Sequence, residues 1–319
     1  MSPIKPISLD GLGSYPLKER PSKVRVDDFA RPWIKGSSFS RWLDCLPNVL
    51  AARDLKEIVK KIIDAVLGEK KVLLAMGAHV IKVGLNPVVI DLMERGVISG
   101  IAMNGAGIIH DAELAMVGHT SEDVAAELGN GRFGVAEETG KYLNEAIVEG
   151  AKQGWGLGRA VGSMLLKKDF PYNSLSILAR AHEADIPVTV HVAMGTDIIH
   201  FHPSADGASI GKTSHLDFRI FAHMVSMLKQ GVFVNLGSAV ILPEVFLKAL
   251  SLVRNLGFEV KHFTTVNMDF IRHYRPMTNV VDRPTREGGK GYSLVGHHEI
   301  MFSLLAAGII EGLEGEKQG

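Results

Sequence analysis

Short apolar runs that alternate with helical segments constrain the fold of this chain more than any other feature. The runs are rich in Val, Ile and Leu, which is typical of strands that are covered on both faces of a parallel sheet. Five strands are predicted in this way, over residues 71–76, 98–103, 187–192, 232–236 and 259–266. Because helices are predicted between them, we expect an α/β fold with a doubly wound, mostly parallel sheet.

The chain has 319 residues, which is long enough for one large α/β domain. Residues 1–50 carry scattered Pro, Gly and Ser, and they predict an extended arm that ends in a short helix and covers a neighbouring subunit. A helical stripe of apolar residues over 51–67 begins the domain, which is expected to continue to residue 313. Residues 272–293 are expected to form a long loop.

Composition excludes several functional classes. The chain has 35 basic and 35 acidic residues, so there is no basic surface that would indicate nucleic-acid or anionic-membrane binding. No uncharged apolar run reaches membrane-spanning length, and residues 1–21 do not have the pattern of a signal peptide. The single cysteine, Cys45, excludes an internal disulfide framework, and it favours a reducing, cytoplasmic location.

Small and polar residues follow the predicted strands at the point where each strand ends. In the clearest example, Asn104-Gly105-Ala106-Gly107 follows a buried strand and precedes His110 and Asp111. Similar groups follow the other strands, at Gly77-Ala78-His79, His191–His202, Gly237-Ser238 and Asn267–Asp269. Because ligands of open α/β sheets bind at the carboxyl ends of the strands, these residues predict a ligand site at one edge of the sheet. The small residues would let a ligand approach the main chain.

The densest polar group follows the third predicted strand. His200-Phe201-His202 has the spacing of a metal-binding strand, and Asp197 or His215 could complete a metal site. These side chains could equally be hydrogen-bonded edge residues or substrate contacts. Lys290 lies between glycines, where it could be a solvated loop residue or a lysine that reaches a phosphate or forms an imine.

The order of these motifs resembles the deoxyhypusine synthase family over roughly residues 50–310. Gly77-Ala78-His79 stands where the family has Thr-Ser-Asn, and Asn104–Asp111 is similar to its Thr-Ala-Gly-Gly-Val-Glu-Glu-Asp. Thr196–His202 resembles its Gly-Asp-Met-Ile-Phe-Phe-His, and Leu236–Val240 resembles its Leu-Gly-Gly-Gly-Val. Ile186-Pro187-Val188 and Phe302–Leu305 match two further family segments.

The resemblance implies a Rossmann-like sheet that binds NAD, in a homotetramer or dimer with sites at subunit interfaces. It places Asp197 where the family holds the amine of a polyamine substrate. It implies cofactor contacts from the residues that end three of the strands: Gly77, Ala78, His79, Asn104, Gly105, Ala106, Gly107, His110, Gly237, Ser238 and Ala239.

Two departures from the family pattern bear on the reaction. The catalytic lysine of the family lies in a Glu-x-x-x-Trp-Gly-Lys segment, and the counterpart here is Gly288-Gly289-Lys290, without the tryptophan or the glutamate. An ungapped alignment from the last helix would place Pro284 at that position instead. Leu242-Pro243-Glu244 replaces the segment with the active-site histidine of the family. Transfer of an aminobutyl group to a protein lysine is therefore not expected.

Three functions follow as hypotheses. The first is a transferase or oxidoreductase in which NAD oxidises a small amine or alcohol, Asp197, His200 and His202 position the substrate, and Lys290 traps the carbonyl or imine. The second is a metal-dependent hydrolase that uses His191, His200, His202 and Asp197. The third is nucleotide binding without turnover.

Overall fold

A computed structural model of the chain describes residues 3–316, and their centre is a six-stranded sheet. The strands are β1 (Val72–Met76), β2 (Gly100–Asn104), β3 (Val188–His191), β4 (Val232–Leu236), β5 (Thr264–Asp269) and β6 (Lys290–Val295). Their order in the sheet is β3-β2-β1-β4-β5-β6, and every neighbouring pair is parallel. The prediction of a doubly wound parallel sheet is therefore confirmed.

Helices connect the strands and cover the sheet. They are α1 (Phe39–Cys45), α2 (Leu50–Leu67), α3 (His79–Lys82), α4 (Asn86–Glu94), α5 (Gly105–Val117), α6 (Val124–Glu127), α7 (Glu137–Gln153), α8 (Leu157–Lys168), α9 (Ile177–Glu183), α10 (Gly207–Ser226), α11 (Ile241–Asn255), α12 (Tyr274–Pro276) and α13 (His298–Glu316). Shorter 3₁₀ turns lie at Leu17–Glu19, Val26–Asp28, Leu128–Asn130, Asn173–Leu175, Ile198–His200 and Arg283–Thr285, with a π-helical turn at Met277–Asp282.

The core has two layers because successive residues of a strand face opposite sides of the sheet. Leu73 and Phe233 pack on one side with Phe221 of α10 and Phe246 of α11. On the other side, strand residues such as Leu74 pack with the buried faces of helices that include α2, α4, α5, α9 and α13. Strand β1 is buried along its whole length, which explains its continuous apolar sequence.

Residues 3–49 form an extended arm with two 3₁₀ turns and α1. Many of its apolar side chains are exposed, including Ile4, Leu12 and Trp33. The arm contacts the domain through α1, where the Ser40 amide donates to Glu311 of α13. The role of the arm in covering a neighbouring subunit stays a prediction.

Two expectations for the last third of the chain were wrong. The fifth strand begins at Thr264 rather than at residue 259, so Asn267 and Asp269 lie inside it. The expected loop over 272–293 contains helical turns, and Lys290 begins a sixth strand. This edge strand has only two buried side chains, Tyr292 and Leu294, and its glycine and lysine do not form an apolar run. Its sequence therefore lacked the signal that predicted the other strands.

The outer edge of β3 is closed by side chains of α10. The Val190 amide donates to Asp217 Oδ2 (2.8 Å), and the Val190 carbonyl oxygen accepts from Ser214 Oγ (3.0 Å). The Val192 amide donates to the same Ser214 oxygen (3.3 Å). Backbone groups of this edge strand are thus satisfied within the chain, which leaves them unavailable to another strand.

Candidate functional site

The order in which successive strands are added to the sheet reverses between β1 and β4, which makes this the switch point of the sheet. The turns that follow these two strands touch each other. The Gly77 amide donates to the Leu236 carbonyl oxygen (2.9 Å). A Cβ atom added to Gly77 would lie 2.2 Å from the Gly237 carbonyl oxygen, so glycine is required for this approach. Gly237 has a φ of 67°, a conformation that other residues rarely adopt. In doubly wound sheets this switch point is where ligands bind.

Asp197 lies over the first turn of α5, on the β2 side of the switch point. Asn104 ends β2 and caps α5, since its Oδ1 accepts from the Gly107 amide (3.1 Å). A Cβ atom on Gly105 would be 2.0 Å from Asp197 Oδ2, so the carboxylate occupies the space that this glycine leaves. The sequence motif at 104–107 and Asp197 are thus brought together, as their positions after two strands of a parallel sheet predicted.

Asp197 forms an imidazole–carboxylate pair with His200. The His200 Nδ1 atom accepts from the amides of Gly195 (3.1 Å) and Asp197 (3.3 Å), which assigns the ring proton to Nε2. That Nε2 atom is 3.8 Å from Asp197 Oδ2. Neither atom has a hydrogen-bond partner within residues 3–316, and the two side chains are only 6% and 4% exposed. Burial raises the pKa of Asp197, and the nearby His200 opposes this rise.

His202 and His191 do not join this pair. His202 Nδ1 is within 2.7 Å of Ser204 Oγ, and its ring packs against Gly140 of α7. His191 is buried beside Thr189 and Phe221 on the α10 side of the sheet. Burial lowers the pKa of His191 to about 4, so this ring is neutral near pH 7. Although these histidines are close in sequence, their side chains therefore do not lie together in one cluster.

The geometry gives no support to the metal-hydrolase hypothesis. Among the described residues, no three His, Cys, Asp or Glu side chains are arranged so that they could hold a metal ion. The four residues proposed for that role divide between α7, the α10 side of the sheet, and the Asp197–His200 pair.

Lys290 lies at the opposite edge of the sheet from this pair. It begins β6, beside Thr264 at the start of β5, whereas the switch point is at the strand ends. Its ammonium pairs with Glu57 of α2, and Tyr292 Oη donates to the same carboxylate (2.7 Å). This partnership raises the pKa of Lys290 and lowers that of Glu57. Because Lys290 lies at the start of β6, away from the switch point, it is no longer a candidate catalytic residue within its own subunit.

Two of the implied cofactor contacts have other hydrogen-bond partners. His110 Nδ1 is 2.6 Å from Thr120 Oγ1, which donates to Glu113 (2.5 Å), and burial lowers the pKa of His110. Ser238 Oγ accepts from the Leu242 amide (3.3 Å) at the start of α11.

A second acid–imidazole pair on the β4 side of the switch point was missed from the sequence. Asp269 ends β5, and His298 begins α13 directly after β6. His298 Nε2 is 3.6 Å from Asp269 Oδ1, and both side chains are nearly fully buried. The exposed His79 lies edge-on to His298, with ring centres 5.3 Å apart. The sequence signal for this pair is a polar residue at the end of β5 and another shortly after β6. It can be interpreted only when β6 is recognised as a strand.

Comparisons with known proteins support the fold. No family model matches the chain, and no curated protein matches it in sequence. A solved structure assigned as an LOR/SDH protein from Methanococcus maripaludis matches with a TM-score of 0.52 and 15% identity, over 83% of this chain and 71% of that one. AgrE in a ternary complex with ornithine and NAD+ matches with a TM-score of 0.52 and 16% identity over 82% of this chain. This chain covers only 33% of the length of that protein.

A protein from Entamoeba histolytica assigned as a deoxyhypusine synthase also matches, over 88% of this chain and 96% of that one, with 11% identity and a TM-score of 0.49. At identities this low, the comparisons show a shared doubly wound α/β fold, and they do not assign a reaction.

None of the helices within residues 3–316 combines the length and apolar character that crossing a membrane requires.

Proposed function

We propose that this protein is an NAD-dependent enzyme that oxidises a small amine of the polyamine or amino-acid type. The observation that carries the proposal is the buried Asp197 carboxylate, whose Oδ2 atom has no partner in the described part of the chain. A buried carboxylate oxygen without a hydrogen-bond donor costs free energy, and a substrate ammonium group would supply that hydrogen bond and an opposite charge. In the solved relative AgrE, the bound ligands are ornithine and NAD+.

The residues at the switch point fit a dinucleotide. Gly77 and Gly237 bring the main chain of both halves of the sheet together at the switch point. NAD would supply the acceptor for a hydride. We propose that it is held by the turns 77–79, 104–107 and 237–239, together with His110.

Asp197 and His200 would act together on the substrate. Asp197 binds the ammonium group, and the His200 Nε2 proton faces the carboxylate and favours its charged form. His202 has no part in this proposal, because its ring packs against α7.

Deoxyhypusine formation is not proposed. It would need a lysine at the carboxyl ends of the strands, and Lys290 lies at the other edge of the sheet. A product released to solution, or transferred to another acceptor, agrees better with these residues.

We further propose that the protein is a homotetramer or dimer in the cytoplasm. The exposed apolar side chains of the arm, such as Ile7, Leu9 and Ile34, would be covered in such an assembly. The prediction of interface sites rests on the resemblance to the deoxyhypusine synthase family.

The test pairs calorimetric titration of NAD+ with a screen of diamines and ornithine-like amines for NADH formation. We expect saturable NAD+ binding, and turnover of at least one such amine. In Asp197→Asn, NAD+ affinity should be nearly unchanged, whereas kcat/KM for the amine should fall by about 30-fold or more, since an unpaired charge costs about 2–5 kcal/mol.

Asp206→Asn is a matched control, because Asp206 is exposed at the start of α10 and asparagine caps a helix equally well. Loss of NAD+ binding in Asp197→Asn would count against the role of Asp197. Wild-type protein that binds no NAD+ would overturn the proposed function.

A further inference from the structure

His298 is a buried imidazole without hydrogen bonds. Its residue is only 2% exposed, and neither ring nitrogen has a hydrogen-bond partner among residues 3–316. Buried polar atoms are nearly always paired, because leaving one unpaired costs about 1–3 kcal/mol. Two unpaired nitrogens on one side chain therefore indicate a role other than stabilising the free protein.

The carboxylate nearest to this ring belongs to Asp269. The Asp269 Oδ1 atom accepts from the Phe270 amide (2.8 Å) and is 3.6 Å from His298 Nε2. A carboxylate beside Nε2 favours the tautomer with its proton on that nitrogen. The Nδ1 atom of His298 is then left as a free acceptor.

His298 lies beside the switch point of the sheet. A Cβ atom on Gly237 would lie 2.8 Å from His298 Cε1, so the ring packs against the turn that follows β4. His79, from the turn after β1, and Phe270 lie edge-on to the ring, with ring centres 5.3 and 5.8 Å away. In a doubly wound fold each half of the sheet binds one mononucleotide of a dinucleotide. His298 belongs to the β4–β6 half, whereas Asp197 belongs to the β1–β3 half.

We propose that His298 Nδ1 is the proton acceptor of the amine oxidation, which rests on the proposed function. In this step an N–H bond of the substrate ammonium breaks, and its proton passes to Nδ1. The hydrogen of the neighbouring C–H bond would leave together with the bonding electron pair, as a hydride that a bound NAD+ would accept. The products are an iminium ion, NADH and an imidazolium ion whose charge is stabilised by Asp269.

A path for the proton to solvent continues through the same carboxylate. The Asp269 Oδ2 atom is 3.9 Å from His273 Nε2, and the His273 side chain is 34% exposed. Asp269 thus lies between a buried and a solvent-accessible imidazole. Both distances are longer than hydrogen bonds, and catalytic hydrogen bonds are often long until ligands bind.

The first test is the pH profile of His298→Gln, in which glutamine retains polar atoms but cannot accept the proton. We expect kcat to fall by about 100-fold or more and the acidic limb of the profile to disappear, with NAD+ affinity nearly unchanged. His297→Gln changes the exposed neighbouring histidine and should leave the profile intact. Asp269→Asn should lower kcat while retaining the limb.

The second test uses NAD+ alone and follows the histidine ring nitrogens by ¹⁵N NMR, with His298→Gln to assign the signal. In wild type we expect an unprotonated Nδ1 whose signal shifts on saturation with NAD+. A His298→Gln variant with unchanged kcat and pH limb, or a His298 signal that NAD+ does not move, would overturn the inference. Failure of the proposed function is distinguishable, because wild type would then bind no NAD+ or oxidise no amine.

Discussion

Two buried aspartates lie in or next to the same helix, α5, and their carboxylates differ in how many hydrogen bonds they accept. Asp111 lies in the middle of α5, and it accepts hydrogen bonds that link α5 to α4 and to the start of α9. The donors are Asn86 Nδ2 (2.9 Å), Ser176 Oγ (2.6 Å) and the amides of Ile177 (2.9 Å) and Leu178 (3.0 Å). Although burial raises the pKa of Asp111, these donors favour the charged form.

Asp197 lies over the first turn of the same helix, and the described residues leave its Oδ2 atom without a donor. A fold can stabilise a buried carboxylate fully, as it does for Asp111. The difference agrees with the proposal that Asp197 binds a group from outside the chain.

The largest expected effect is on the stability of Asp111→Ala. Four donors would lose their acceptor, and we expect the free energy of unfolding to fall by about 3–5 kcal/mol. Urea denaturation monitored by circular dichroism measures this. Asp91→Ala, which removes an exposed partner of Arg95, is the control and should change stability by less than about 1 kcal/mol. Equal losses in the two variants would remove the contrast.

Asp217 is an intermediate case, because only one of its oxygens is satisfied. Oδ2 accepts from the amides of Gly158 (3.0 Å) and Val190 (2.8 Å), whereas Oδ1 has no partner in residues 3–316. Burial raises the pKa of Asp217 from 3.8 to about 7. Since the folded-state pKa is the higher one, this group contributes its full stability below pH 3.8 and loses it as the pH rises through about 7.

We therefore expect wild-type stability to fall, relative to Asp217→Asn, between these two pH values by at most about 1.4 kcal/mol per pH unit. Asparagine keeps an oxygen for both amides and does not titrate. Urea denaturation at a series of pH values compares the two slopes. Parallel slopes would contradict the assigned pKa.

A smaller effect is expected on the stability of Asp197→Asn without ligand. No hydrogen bond to Oδ2 is lost, and a buried charge is removed, so stability should stay within about 1 kcal/mol of wild type or rise. Thermal and urea unfolding measure this. A loss as large as that of Asp111→Ala would make Asp197 a structural residue.

The smallest effect is expected for Lys290→Gln. Its pair with Glu57 is largely exposed, so the contribution to stability is below about 1 kcal/mol. Because Lys290 lies at the amino edge of the sheet, NAD+ affinity and amine turnover should also be unchanged. A large loss of turnover with unchanged stability would contradict this and would indicate that Lys290 acts in an active site shared between subunits.

The sequence predicted the parallel sheet and the Asn104–Asp197 neighbourhood because both depend on apolar runs and on the residues that end them. It did not predict β6, an edge strand whose residues are half exposed, and so the pairing of Asp269 with His298 stayed hidden. Histidine spacing was misleading for a different reason. His191 and His202 turn toward different helices, and only packing decides this.

The α10 side chains that bind the outer edge of β3 also oppose the addition of another strand to the sheet at this edge. A parallel sheet with an open edge can recruit a strand from another molecule, which is a first step to aggregation. Asp217 and Ser214 occupy the backbone groups that such a strand would need. Loss of Ser214 would free the Val190 carbonyl oxygen and the Val192 amide, and it would therefore open part of this edge to pairing with another strand.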